Sequence, residues 1–182
     1  MKLPASVEGR ERVRLFCALR LPDAVLDAIE AWGRDELAER VVQRANLHVT
    51  LAFLGHRPVG ELDAIAAATR EAAAAAEPIR LDPVRYRETR SVGMLVLADQ
   101  DGAAGAVAVD LHGRLEEIGV YEREERPWLP HLTIVRFRQR PRLDPPLPAL
   151  GPFAPSDAAV YLSRLSPSGA QYEVVESFAL GG

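Results

Sequence analysis

The sequence predicts an α+β protein of two related lobes, with central antiparallel sheets and helices packed outside. Two observations carry this reading. Short apolar runs with strand character alternate with stretches in which apolar side chains recur every three to four positions, giving the order β-α-β-α-β-β-α-β-β-β. In addition, one short pattern occurs once in each half: His48-Val49-Thr50-Leu51 and His131-Leu132-Thr133-Ile134.

Residues 1–11 read as a polar tail. Val13 to Leu19 is a first strand, ended by Arg20-Leu21-Pro22. Asp23 then suits a helix N-cap, and Val25, Leu26, Ile29 and Trp32 recur at helical spacing toward about Arg40, with Gly33 as the weak point. Val41 to Arg44 reads as a short strand leading into the first histidine strand, Leu47 to Leu54, which Gly55 ends; His56 then lies in a loop. Glu61 to Ala76 is an alanine-rich helix marked by Leu62, Ile65 and Thr69, and Pro78 stops it. Ile79 to Thr89 and Val92 to Ala98 are paired strands, the first alternating Arg85 and Arg87 with partners that include Tyr86. Ala103 to Ile118 is a third helix with Val107, Leu111, Leu115 and Ile118 inward, His112 at its surface or edge, and Gly119 at its C-terminus. A charged loop, Glu122 to Arg126, and the segment Pro127-Trp128-Leu129-Pro130 lead into the second histidine strand, Leu129 to Phe137. Arg138 to Pro155 is a long Pro- and Arg-rich loop. Ala158 to Leu165 and Tyr172 to Phe178 close the chain as strands, joined through Ser166-Pro167-Ser168-Gly169.

Composition bounds the function. The 182 residues suit one domain, or two small lobes on one core, and 48% apolar residues supply that core. A net charge of −4 gives no global attraction to nucleic acid, so RNA would be held locally, at an end or a single phosphate. Cys17 is the sole cysteine, which excludes an intramolecular disulfide and a multi-cysteine zinc site; its apolar run marks it as a buried structural thiol. Charged residues precede any apolar stretch and no run is long enough to cross a bilayer. A cytoplasmic monomer, without cofactor, metal or membrane contact, is expected.

Strand alternation puts His48 and Thr50 on one face, and His131 and Thr133 likewise. Polar pairs on apolar strands need partners, because burying a polar group alone is costly. If the two strands are neighbours, two imidazoles and two hydroxyls meet in a cluster able to transfer protons and to hold an anionic oxygen. Strict alternation puts Arg136 on the opposite face from His131, so it joins the cluster only if the strand twists or bulges. Phe16, Tyr86, Arg126 and Trp128 are candidates for gripping RNA or stacking on a base.

These segments carry a resemblance. Asn46-Leu47-His48-Val49-Thr50-Leu51-Ala52-Phe53-Leu54-Gly55 resembles the first motif of the two-histidine (2H) phosphoesterases, and within them of the bacterial and archaeal RNA 2′,3′-cyclic phosphodiesterases, long called 2′-5′ RNA ligases. Arg126-Pro127-Trp128-Leu129-Pro130-His131-Leu132-Thr133-Ile134-Val135-Arg136 resembles the second. Arg14-Leu15-Phe16-Cys17-Ala18-Leu19 and Leu162-Ser163-Arg164-Leu165, followed by Gly169 and Tyr172, fit as well, so the likeness spans nearly the whole chain. Ala52 stands where a lysine is common and Leu129 where a basic residue is common. The loops over 122–126 and 141–155 are candidates for reshaping the substrate mouth.

The resemblance implies metal-independent hydrolysis of RNA 2′,3′-cyclic phosphate ends to a 2′-phosphate. His48 would be the proton donor, His131 the proton acceptor, and Thr50 and Thr133 the phosphate-binding hydroxyls. The residues alone support paired acid–base imidazoles but leave open which is which. Alternatives are a cyclic phosphodiesterase acting on small nucleotides or 2′-5′ linkages, with reversible ligation, and a non-catalytic module that binds nucleotides or RNA ends.

Overall fold

In the computed structural model, residues 7, 11–37, 41–166 and 169–181 are described. Most of the expected polar tail and the Pro167-Ser168 part of the last turn lie outside them. The elements are β1 (Arg12–Arg20), α1 (Asp23–Glu36), β2 (Val49–Pro58), α2 (Leu62–Ala74), β3 (Leu81–Glu88), β4 (Val92–Asp99), α3 (Ala103–Glu117), β5 (His131–Arg136), β6 (Asp157–Ser166) and β7 (Gly169–Phe178). Their order is the one read from the sequence.

The strands form one seven-stranded sheet in the order β3-β4-β5-β2-β1-β6-β7, with every pair antiparallel. The two expected sheets are therefore one sheet, narrow at its middle. The two histidine-bearing segments are neighbours there, and β2 and β5 are joined by the single pair Val49↔Leu132. On one face the fully buried Leu15, Leu19, Leu95, Leu132, Ile134 and Leu162 pack with Ile65 of α2 and Leu111 and Leu115 of α3. Each such side chain contributes roughly 1.5–3 kcal/mol by leaving water. A smaller buried cluster, Phe16, Ala18, Ala159 and Tyr161, lies apart from this core with Tyr172 packed against it.

Several expectations shift. α1 ends at Glu36, short of the expected reach to Arg40. Gly33 serves close packing, since a Cβ there would collide with Val41. Val41 to Arg44 is no strand but an isolated bridge, Val41↔Val135, followed by a 3-10 turn over Arg44–Asn46. Arg44 fastens that turn to α1, with Nη1 at 2.6 Å from Asp27 and 3.0 Å from Glu30, and Nη2 at 2.8 Å from Asp23. Gly55 does not end β2: its positive φ of 67° accommodates a bulge, and the strand continues to Pro58, so His56 is an exposed strand residue rather than a loop residue. Cys17 is fully buried, its Sγ 3.4 Å from the Thr69 hydroxyl, and burial pushes the thiol up to about 11. That keeps it protonated and inert.

Candidate active site

His48 immediately precedes β2 and His131 opens β5. Val49 and Leu132 point into the core, so the flanking residues turn to the other face. Antiparallel register on either side of that pair sets His48 beside Thr133 and Thr50 beside His131. The four side chains alternate around a square.

Both imidazoles are held alike. His48 Nδ1–H donates to the carbonyl of Asn46 at 2.9 Å, and His131 Nδ1–H donates to the carbonyl of Leu129 at 2.8 Å. A carbonyl can only accept, so each bond fixes the proton on Nδ1 and leaves Nε2 to exchange protons in the cavity. The Thr50 hydroxyl donates to the neutral Nε2 of His48 at 3.1 Å.

The cavity has a volume of about 620 Å³, and His48, Thr50, His131, Thr133, Arg136 and Phe16 all line it. Arg136 reaches it through a β-bulge. Met94 pairs with Thr133 and Gly93 with Val135, so Ile134 is extra, both Ile134 and Val135 are buried, and Arg136 returns to the cavity face. The spare carbonyl of Ile134 accepts the Val42 N–H at 2.6 Å. β2 is bulged too, where Cys17↔Ala52 is followed by Ala18↔Thr50 and Leu51 is left over. That bulge swings Phe53, half exposed, onto the cavity wall.

The surroundings of His48 shift its protonation. Burial lowers the His48 pKa to about 4, and the charges of Arg136 and His131 push the same way, against the Asn46 carbonyl. Phe16, Tyr172 and Tyr161 enclose its ring at centroid distances of 4.8, 5.3 and 5.6 Å. With that pKa, His48 is neutral at pH 7.

The structure sets three candidates elsewhere. Tyr86 pairs with Leu95, which pairs with the buried Leu132, so it belongs to the core side and its hydroxyl donates to Glu88 at 3.4 Å. Arg126 is exposed and paired with Glu124 at 2.6 Å. Trp128 does not line the cavity; its indole N–H donates to the Thr50 carbonyl at 2.9 Å, replacing a ladder bond where β2 leaves β5. Neither the 122–126 loop nor the 141–155 loop contributes to the cavity lining.

Two supporting residues escaped the sequence reading. Asn46, present in the first motif, grips β7: its amide Nδ2 donates to the Ala170 carbonyl at 2.8 Å and its Oδ1 accepts the Tyr172 N–H at 3.2 Å. His112, expected at the surface, is 6% exposed and stacks on Tyr121. Its Nε2–H donates to the Leu51 carbonyl at 2.8 Å, the spare acceptor of the β2 bulge. A helical pattern marks a buried stripe but cannot show that a bulge across the interface needs a donor.

Among the described residues, no group of three or more His, Cys, Asp or Glu side chains is placed to hold a metal ion. No helix among them is long and apolar enough to cross a membrane.

Paired imidazoles anchored alike through Nδ1, with two hydroxyls and an arginine lining the same cavity, are the site expected of a two-histidine phosphoesterase. Comparison with known proteins narrows the class. A family model described as the 2′-5′ RNA ligase superfamily matches residues 21–167, and the chain belongs to that family. An RNA 2′,3′-cyclic phosphodiesterase of Thermus thermophilus is 30% identical, over 93% of this chain and 91% of that protein. One from Methanocaldococcus jannaschii is 24% identical, over 91% and 100%. A solved structure from Thermus thermophilus superposes with a TM-score of 0.77 at 30% identity, covering 93% of this chain and 98% of its own. Escherichia coli LigT shares the fold, with a TM-score of 0.76 at 23% identity over 95% and 100%.

Proposed function

We propose that the chain hydrolyses RNA 2′,3′-cyclic phosphate ends to 2′-phosphomonoesters by acid–base catalysis without a metal. The observation that carries this reading is the matched anchoring of two imidazoles that line one cavity, each with Nδ1 tied to the backbone carbonyl two residues upstream. The names of the relatives supply the substrate class.

In this reaction His131 takes a proton from water as the water oxygen bonds to phosphorus. The bond from phosphorus to the ribose 3′-oxygen breaks, and His48 gives that oxygen its proton. The products are a 2′-phosphate and a 3′-hydroxyl. Charge gathering on the non-bridging oxygens is met by Thr50, Thr133 and Arg136. Donation requires His48 to be charged, whereas the empty site holds it neutral. The incoming phosphate resolves this conflict. Its negative charge offsets Arg136 and favours the imidazolium, so binding takes up a proton. Protonation turns Nε2 into a donor and frees the Thr50 hydroxyl, previously committed to that nitrogen, for a phosphate oxygen.

The test is product analysis on an oligoribonucleotide ending in a 2′,3′-cyclic phosphate, with excess chelator present. A 2′-phosphate formed at an undiminished rate is expected. A 3′-phosphate product, or activity restored only by an added divalent ion, would overturn the reading.

A further inference from the structure

The cavity face of the sheet does not stop at β5. Val96 of β4 pairs with His131 and in turn with Arg85 of β3, while Met94 pairs with Thr133 and in turn with Arg87. Directly paired residues share a face, so two rows run from the catalytic pair to the edge strand: His131-Val96-Arg85 and Thr133-Met94-Arg87. Val96 and Met94 are 5% and 8% exposed and make a low apolar floor. Arg85 and Arg87 are exposed at its far side. Two strand spacings separate them from the histidines, about 10 Å in all.

The neighbouring chain is rich in the same charge. Arg136 at the cavity rim pairs with Val92, and the hairpin tip that carries Arg90 is tied to the end of β5 by the Phe137 N–H bonded to the Ser91 carbonyl at 3.0 Å. Of the two carboxylates of β3, Asp82 pairs with Ala98 and shares the face of these arginines at the far end of the strand, whereas Glu88, next to Arg87, is turned away. Glu88 follows Tyr86 on the core side, where its side chain is 2% exposed and accepts from Arg140 Nε and from the N–H groups of Arg142 and Leu143. In a chain of net charge −4, this leaves the β3 side of the cavity locally cationic.

We propose that this face is a track for single-stranded RNA, and that Arg85 and Arg87 bind the phosphates 5′ of the cyclic end. The inference rests on the proposed chemistry and deepens it: the preferred substrate is an oligonucleotide end rather than a mononucleotide. Arginine suits the task, since its planar fork grips phosphate and stays charged at any working pH. Charge on an edge strand also deters pairing between molecules, but that role is indifferent to RNA length.

Two measurements on the double charge reversal Arg85→Glu/Arg87→Glu decide the matter. The first is the ratio of kcat/KM for a short oligoribonucleotide 2′,3′-cyclic phosphate to that for a mononucleoside 2′,3′-cyclic phosphate. The second is binding of a fluorescent oligoribonucleotide 3′-phosphate across a salt series. The ratio is expected to favour the oligomer in the wild type and to fall at least tenfold in the variant. The logarithmic salt slope of binding should become shallower by about 1.4, the value for two phosphate contacts on a single strand. The milder pair Arg85→Gln/Arg87→Gln removes the same two contacts, so it should flatten the salt slope by about the same 1.4 while lowering the ratio less than the reversal, and it guards against misfolding of the reversal. A wild type that binds and cleaves both lengths equally overturns the track while leaving the chemistry standing. Salt-dependent oligomer binding that the reversal abolishes, in a wild type that cleaves neither substrate, leaves the track standing and overturns the chemistry.

Discussion

His48 and His131 begin the same way and end differently. Each ring is tied through Nδ1 to the carbonyl two residues upstream, so the motif itself sets the tautomer. Beyond that bond the surroundings diverge. His48 sits under Tyr172, against Phe16 and near Tyr161, with its pKa lowered to about 4. His131 opens the short strand β5, beside β4 and the arginine-bearing edge. The repeated motif anchors both rings alike, while the fold packs aromatic side chains around His48. In the proposed mechanism the division of labour would then come from β1, β6 and β7, which supply Phe16, Tyr161 and Tyr172 around His48, rather than from the His-x-Thr pattern.

The strongest way to break this comparison is to remove either ring. His48→Ala and His131→Ala should each lower kcat for cyclic phosphate by about 10²–10⁴-fold. In the proposed mechanism both act in one transition state, so the double variant should be little worse than either single one. Near wild-type turnover by a folded His131→Ala protein would end the two-histidine mechanism.

The hydroxyls sharpen the comparison. Thr50→Val and Thr133→Val keep shape and remove a donor, and each should reduce kcat by about 10²-fold. Only Thr50 also bonds His48, so only Thr50→Val should displace a limb of the pH–rate curve. Identical pH profiles for the two variants would show that the Thr50–His48 bond plays no part in the proton cycle.

How far was this legible beforehand? Element order was, because strand and helix periodicities are strong in β1, α1 and the two histidine strands. The facing of most residues was legible from alternation, whereas the adjacency of the motifs was only a condition in the sequence and is supplied by the pairing of β2 with β5. Bulges were not, because an extra residue shows only against the opposite strand. That is why Arg136 looked misplaced and why Gly55 looked like a stop. Tyr86 was readable in principle, since alternation opposes it to Arg85 and Arg87. His112 was not, because its acceptor belongs to a strand distant in sequence.

A third prediction concerns acid. The folded pKa of His48 lies at about 4, below its ordinary value near 6.5, so the unfolded chain binds this proton more readily between those limits. The contribution of neutral, half-buried His48 is complete above about pH 6.5 and declines as pH falls toward 4, by as much as about 3 kcal/mol. Chemical denaturation at pH 7 and pH 4.5 should show the wild type losing more stability than His48→Gln. Parallel losses in the two proteins would mean that His48 is solvated and charged in the free state.

The smallest effect tests the seam between the two histidine strands. Only Val49 and Leu132 pair across it, and past them the Thr50 carbonyl is met by the Trp128 indole rather than by β5. Trp128→Phe keeps an aromatic ring there and removes only the N–H. The hydrogen bond itself contributes about 0.5–1.5 kcal/mol, and a carbonyl left without a partner costs about 1–3 kcal/mol. Water reaching the half-buried site would moderate that cost, which puts the expected loss of stability near 1 kcal/mol. The catalytic effect should be separable from it. If the indole fixes the Thr50 backbone, and with it the hydroxyl and the His48 ring, kcat should drop several-fold while KM stays close to its wild-type value, because phosphate still meets Thr133 and Arg136. A rise in KM with unchanged kcat would instead place the Trp128 ring against the substrate. Equal small losses in stability alone, with both kinetic constants unmoved, would make the seam a matter of folding and not of catalysis.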